Sequence, residues 1–208
     1  MKGLFITFEG GEGSGKSTQI KRLAERLKRE RREVLPTREP GGTKEAEAIR
    51  ALLVSGDVAR WTAQAEALLN YAAREMHLVE TIRPALVRGA IVLCDRFMDS
   101  TRAYQGYAGG CDLAFIDALE QAVVAGTRPA RTLIFDLDPA LGLVRAHGRG
   151  GAVAEDRYER KGLEFHRKLR QGFLDIARRE PERCRVIDSS QDKNIVELAV
   201  WQALNGLL

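Results

Sequence analysis

The sequence predicts an α/β fold of three layers, a five-stranded parallel sheet with helices on both faces. Two observations carry this. Short apolar runs at 4–9, 33–37, 90–95, 132–138 and 185–188 alternate with longer amphipathic segments at 16–31, 43–55, 63–87, 112–125, 139–145, 158–179 and 195–207. Each run is also followed closely by polar residues, and open parallel sheets collect ligands at the carboxyl ends of their strands.

The first such loop is the most informative. The run Gly10-Gly11-Glu12-Gly13-Ser14-Gly15-Lys16-Ser17 fits G-x-x-x-x-G-K-[ST] between an apolar strand and a helix-patterned segment opening Thr18-Gln19-Ile20. Its glycines let a tight loop aim successive backbone N–H groups at a phosphate. Lys16 supplies charge to the β- and γ-phosphates, and the Ser17 hydroxyl is placed for Mg²⁺. The helix N-terminus behind the loop adds positive partial charge. This is a P-loop NTPase-type arrangement that binds a nucleoside triphosphate, with residues 10–18 as its cradle.

After the second strand comes Thr37-Arg38-Glu39-Pro40-Gly41-Gly42-Thr43. After the third comes Asp95-Arg96, followed by Ser100-Thr101 and Ala103-Tyr104-Gln105-Gly106. Phosphoryl transfer needs positioning and charge neutralisation more than covalent chemistry. Arg38 and Arg96 are therefore candidates to hold an acceptor phosphate, and Asp95 is a candidate carboxylate on the Mg²⁺ side. Segment 145–157 breaks the helical pattern with glycines and carries Arg145, Arg149 and Arg157. It reads as a lid that brings in charge and excludes water.

The bulk properties set the remaining bounds. A chain of 208 residues is read as one domain. No apolar run is long enough for a membrane span, and the N-terminus leads directly into a strand, so a cytoplasmic protein is expected. Cys94, Cys111 and Cys184 are widely spaced and odd in number, which suggests buried free thiols. The net charge of +4 does not imply a nucleic-acid partner. The basic run 28–32 falls at a helix end, where cations favour the dipole, and no aromatics interleave with it.

Together these blocks resemble the thymidylate kinase family. The similarity rests on Phe8-Glu9-Gly10 with Gly15-Lys16-Ser17-Thr18, on the Thr37–Thr43 loop, and on the Asp95–Gly106 block. Tyr71-Ala72-Ala73-Arg74 and Ile187-Asp188-Ser189-Ser190-Gln191 extend it along the chain. The resemblance implies ATP- and Mg²⁺-dependent phosphorylation of dTMP to dTDP, in deoxynucleotide biosynthesis, by a homodimer. It places Glu12 near the deoxyribose 3′-hydroxyl, Arg38 and Arg96 on the acceptor phosphate, Arg74 at the thymine edge and Thr101 on the base. Tyr104 would crowd C2′ against ribose, and Pro40 and Gln105 join the substrate-binding set. The P-loop interior lacks a basic residue, as in the bacterial group that supplies catalytic charge from the lid, here Arg149 or Arg145. One position departs from the family. Asn70 stands where a base-stacking phenylalanine is usual, and Phe97 and Tyr107 are the alternative platforms. A kinase for another pyrimidine nucleoside monophosphate and a nucleotide-dependent switch module stay open as alternatives.

Overall fold

In the computed structural model, residues 3–148 and 157–208 are described. They contain one parallel sheet of β1 (Leu4–Gly10), β2 (Val34–Arg38), β3 (Ile91–Asp95), β4 (Arg131–Asp136) and β5 (Cys184–Asp188), in the order β2-β3-β1-β4-β5. Because β1 lies in the middle, strands are added first on one side and then on the other. The loop after β1 therefore falls where the winding reverses, the place where such sheets leave a crevice.

Alternation along the strands explains the three layers. Ile6 and Phe8 join Ile91, Leu93, Leu133 and Phe135 under α1 (Lys16–Arg29) and α9 (Lys193–Ala203). Phe5, Val92 and Cys94 face the other side, against α3 (Ala63–His77) and α6 (Leu113–Val123). Ile134 meets Leu169, Phe173 and Ile176 of α8 (Gly162–Arg179). Each fully buried Leu, Ile or Phe contributes about 1.5–3 kcal/mol by leaving water, so both faces of the sheet must be covered. α2 (Lys44–Val54), α4 (Arg83–Val87) and α7 (Pro139–His147) complete the longer helical elements.

Five helix starts among the described residues are capped by side chains. Thr43, Thr62, Asp112, Asp138 and Asp192 each accept a backbone N–H from the first turn of α2, α3, α6, α7 and α9. The start of α1 has no side-chain cap and no acid in its first turn; left-handed Gly15 (φ 88°) precedes it. Its first-turn N–H groups receive no side-chain cap and face the glycine loop. Gly13 (φ 67°) lies so close to the Gly142 carbonyl of α7 that a Cβ would collide with that backbone. Gly13→Ala is expected to cost about 2–4 kcal/mol, from left-handed strain and overpacking. A thermal melt should fall by roughly 5–15 °C, and an unchanged melt would contradict this account of the loop.

Two stretches differ from the sequence expectation. Segment 63–87 is not one α-helix: α3 passes through a π-helical turn, Leu78–Ile82, into α4. The widened turn directly precedes Pro84, which has no N–H to give to the preceding turn. The polar stretch after Asp95, expected as loop, forms the short α5 (Met98–Thr101) and a π-helical segment, Arg102–Ala108. Asp99, Ser100, Thr101 and Gln105 are buried there, so polarity misrepresents their surroundings. Arg183 explains Asp99: it donates to both carboxylate oxygens at 2.7 and 2.9 Å and to Thr132 Oγ1 of β4.

Candidate active site

Two adjoining clefts open at the carboxyl ends of β1, β2 and β3. The first, about 560 Å³, is lined by Glu12 to Ser17 with Arg38, Glu39, Arg50, Asp95 and Arg96. Lys16 Nζ lies across the loop, donating to Gly11 O at 2.9 Å and Gly10 O at 3.2 Å. Burial, then repulsion from Arg96, lowers its ammonium to about 8. An added phosphate charge would reverse that balance. Ser17 Oγ donates to Asp95 Oδ2 at 2.7 Å. A hydroxyl and a carboxylate side by side at the mouth of the loop are an oxygen donor set that suits Mg²⁺. No group of three or more Asp, Glu, His or Cys side chains placed to hold a metal ion occurs among the described residues, and Mg²⁺ commonly takes its other oxygens from phosphates and water.

The second cleft, about 680 Å³, runs from Glu12 past Asn70, Arg74, Phe97, Thr101, Tyr104 and Gln105 to Tyr158. Arg74 is 2% exposed. Its Nε donates to Glu39 Oε2 at 2.7 Å and its Nη2 to Thr101 Oγ1 at 3.1 Å. Its guanidinium lies 4.5 Å from the Tyr71 ring and 5.0 Å from the Phe97 ring. Nη1 is buried with no hydrogen-bond partner among the described residues. Glu39 is fixed from behind: its Oε1 is 3.0 Å from His77 Nδ1, and His77 Nε2 is 2.7 Å from Thr37 Oγ1. A buried guanidinium held this firmly, with Nη1 unpartnered among the described residues, is able to donate to a carbonyl placed in the cleft.

Glu12 and Arg96 line both clefts. Arg96 (φ 70°) follows β3 in a left-handed conformation that few non-glycine residues adopt. Its Nη2 donates to Glu12 Oε1 at 2.9 Å and its Nη1 to Gly10 O at 2.8 Å, and Tyr104 Oη donates to the same Glu12 oxygen at 2.6 Å. Burial alone would raise the Glu12 carboxyl, yet Arg96 and Lys16 hold it down at about 2. Beneath the turn, Glu9 accepts from Phe97 N at 2.7 Å and Ser100 Oγ at 2.5 Å. Burial, then Asp99, raises the Glu9 carboxyl to about 8.

A P-loop cleft that shares Glu12, Glu39, Arg50 and Arg96 with a second cleft lined by a buried arginine has counterparts among known proteins. The family model described as Thymidylate kinase matches residues 8–200. This chain belongs to the thymidylate kinase family. The thymidylate kinase of Caulobacter vibrioides is 57% identical over 96% of this chain and 94% of its own length. That of Afipia carboxidovorans is 51% identical over 100% of this chain and 91% of its own. The crystal structure of thymidylate kinase from Ehrlichia chaffeensis matches with a TM-score of 0.80 at 37% identity, covering 99% of this chain and all of that one.

Most residues that the thymidylate kinase resemblance named come together here. Glu12, Pro40, Asn70, Arg74, Arg96, Thr101, Tyr104 and Gln105 line the second cleft. The loop from Gly13 to Ser17, with Arg38 and Asp95, lines the first. Gly10 and Gly11 stand beside it as acceptors for Lys16, while Thr18 points outward and is exposed. Arg38 is engaged by Glu47 at 3.0 and 2.9 Å.

Several expectations need correction. Arg157 does not bring charge in on a lid: it is fully buried, clamped to Glu66 and to the carbonyls of Leu53, Asp57 and Val58. Arg145 lies in α7, which continues to His147, and its Nη1 donates to Ser189 O at 3.1 Å. Arg149 lies outside the described residues. Tyr107 packs on Gly172 of α8 instead of lining the second cleft, whereas Phe97 does line it. Cys111 is only partly buried, unlike Cys94 and Cys184. Sequence reasoning passed over Glu9, Glu39, Glu66, His77 and Tyr158. The regular burial expected at helix positions 66 and 77 was a usable signal, since a charged or imidazole side chain there requires a partner.

Proposed function

We propose that this protein transfers the γ-phosphoryl group of ATP to dTMP, forming dTDP and ADP. The observation that carries the reading is the junction of the two clefts at Glu12 and Arg96. A donor phosphate in the glycine loop and an acceptor phosphate beside Arg96 would meet there. An oxygen of the dTMP phosphate attacks the γ-phosphorus and the bond to the β-bridging oxygen breaks. The attacking oxygen is already anionic, so no general base is needed.

Lys16 neutralises the donor phosphates, and Arg96, with Arg38 released from Glu47, holds the acceptor phosphate. Tyr104 and Glu12 flank the deoxyribose, and the free N–H of Arg74 meets a base carbonyl. Ser17 and Asp95 would hold Mg²⁺, which when bound withdraws charge from the β- and γ-phosphate oxygens. Phe97 and Tyr158 supply the aromatic walls that Asn70 does not. The reading takes 1–208 as one domain with a lid between α7 and Arg157, and Arg149 as the lid's phosphate-side cation.

Incubation with ATP, Mg²⁺ and dTMP should yield dTDP, and Lys16→Ala should lower kcat by about 100-fold or more. No dTDP above that variant's background would overturn the proposal. A preference of about tenfold or more for dUMP, UMP or CMP over dTMP would replace the substrate. We also infer a cytoplasmic homodimer packed through helices, a reading supported by exposed Leu68 on α3 and Val79 on the π-helical turn that follows it. Sedimentation as a monomer at micromolar concentration would reject the dimer. No helix among the described residues is long and apolar enough to cross a membrane.

A further inference from the structure

At the far wall of the second cleft lies a cluster with no direct part in phosphoryl transfer. Glu66 of α3 is 1% exposed. Its Oε1 accepts from Arg157 Nη2 at 2.6 Å and from Lys161 Nζ at 3.2 Å. Its Oε2 accepts from Gln105 Nε2 at 2.8 Å and from Tyr158 Oη at 3.1 Å. We propose that Glu66, held by Arg157, is a positioning residue that sets which pyrimidine the cleft accepts, by fixing the direction of the Gln105 amide. The proposal rests on the dTMP reading above.

A side-chain amide can be turned end for end at almost no cost, unless a neighbour tells its two ends apart. A carboxylate does so absolutely, because it accepts and never donates. Glu66 therefore takes the NH₂ end of Gln105 and leaves Oε1 as the acceptor available to the cleft that Gln105 lines. On the same wall Arg74 offers a buried, unpartnered Nη1 donor. Thymine and uracil present an N3–H donor beside a C4 carbonyl acceptor, which complements this pair. Cytosine presents a bare N3 and an amino group, so both of its contacts would oppose like with like. Buried polar groups left facing like groups discriminate strongly between ligands of equal size.

Glu66→Gln reverses the logic. Arg157 and Lys161 can only donate, so they hold the oxygen of the new amide and turn its NH₂ toward Gln105. Gln105 must then offer Oε1 to it and present NH₂ to the cleft, which suits the N3 of cytosine. The ratio of kcat/KM for dTMP over dCMP is expected to fall by about 100-fold, mostly through KM. A ratio within about threefold of wild type in a folded variant would overturn the proposal.

The substitution also leaves two cations without their carboxylate. The double variant Glu66→Gln/Lys161→Met keeps the cluster's net charge, and the same fall is expected there, while Lys161→Met alone leaves the ratio unchanged. Wild-type protein gives an independent test. The Gln105 side-chain NH₂ resonances, assigned by their loss in Gln105→Leu, should barely move when dTMP is added. A large shift with new exchange protection would mean that NH₂ faces the base, and the proposal falls. The wild-type ratio separates the two readings. A value near one overturns dTMP selectivity itself, whereas a high value that Glu66→Gln leaves intact overturns only the role of Glu66.

Discussion

Arg96→Ala is expected to lower kcat with dTMP by about 1,000-fold while changing the ATP dissociation constant by less than about threefold. The asymmetry follows from position. Arg96 contacts the loop through the Gly10 carbonyl and Glu12, and reaches the second cleft beside Ser100 and Tyr104. In the proposed reaction its charge stands between donor and acceptor phosphates, whose mutual repulsion rises as they approach. Donor binding retains Lys16, the loop and the α1 N-terminus without it.

Backbone strain is separable from this effect. Arginine and alanine both carry a Cβ, so the left-handed conformation at φ 70° costs each about the same. Arg96→Gly relieves that strain and should melt no lower than Arg96→Ala, yet it should be equally inactive. Arg96→Lys restores charge without the planar fork and should recover only part of the rate. Single-turnover kinetics and a fluorescent-nucleotide titration read the two quantities separately. Equal losses of ATP binding and turnover would contradict an acceptor-side role.

The frame of the molecule was legible because strands and helices bury apolar residues at fixed periods. Each of the five strands was placed to within two residues of its observed bounds, since Val, Ile, Leu and Phe cluster where both sheet faces are covered. The glycine loop was legible for a different reason. Phosphate-binding geometry constrains residue types within a few positions of one another, and that information is local in sequence.

The rest of the site is not local. Thr37, Glu39, Arg74, His77 and Thr101 form one connected network across three segments of chain. No periodicity relates those positions. The π-helical turn at 102–108 was also invisible, because its residues are buried around a site and not along a helical stripe. Ser100, Thr101 and Gln105 looked like loop residues because their partners are charged groups elsewhere in the chain.

Arg157 is the sharpest case, and it yields the largest expected loss of stability. Beside a glycine-rich segment an arginine reads as mobile charge. Its guanidinium instead closes the end of α2 through Leu53 O at 3.0 Å, fixes the turn beyond it through Asp57 O and Val58 O at 2.9 Å each, and pairs with Glu66. Its own N–H donates to Val54 O at 3.3 Å. Arg157→Met keeps much of the volume but takes this donor from the Leu53 and Val58 carbonyls, leaves Asp57 O with Arg60 N alone, and removes the shorter of two cation contacts to a buried carboxylate. Breaking one side of a buried pair costs about 3–5 kcal/mol, a large part of the roughly 5–15 kcal/mol that folded domains possess. A melt lower by about 6–20 °C is therefore expected. KM for dTMP should rise as well, because Glu66 and Tyr158 belong to the same cluster as the cleft wall. A purely catalytic lid arginine would give the opposite result, a wild-type melt with a collapsed kcat. Differential scanning calorimetry beside steady-state kinetics distinguishes the two, and a Tm within about 2 °C of wild type would show that the clamp bears little of the fold.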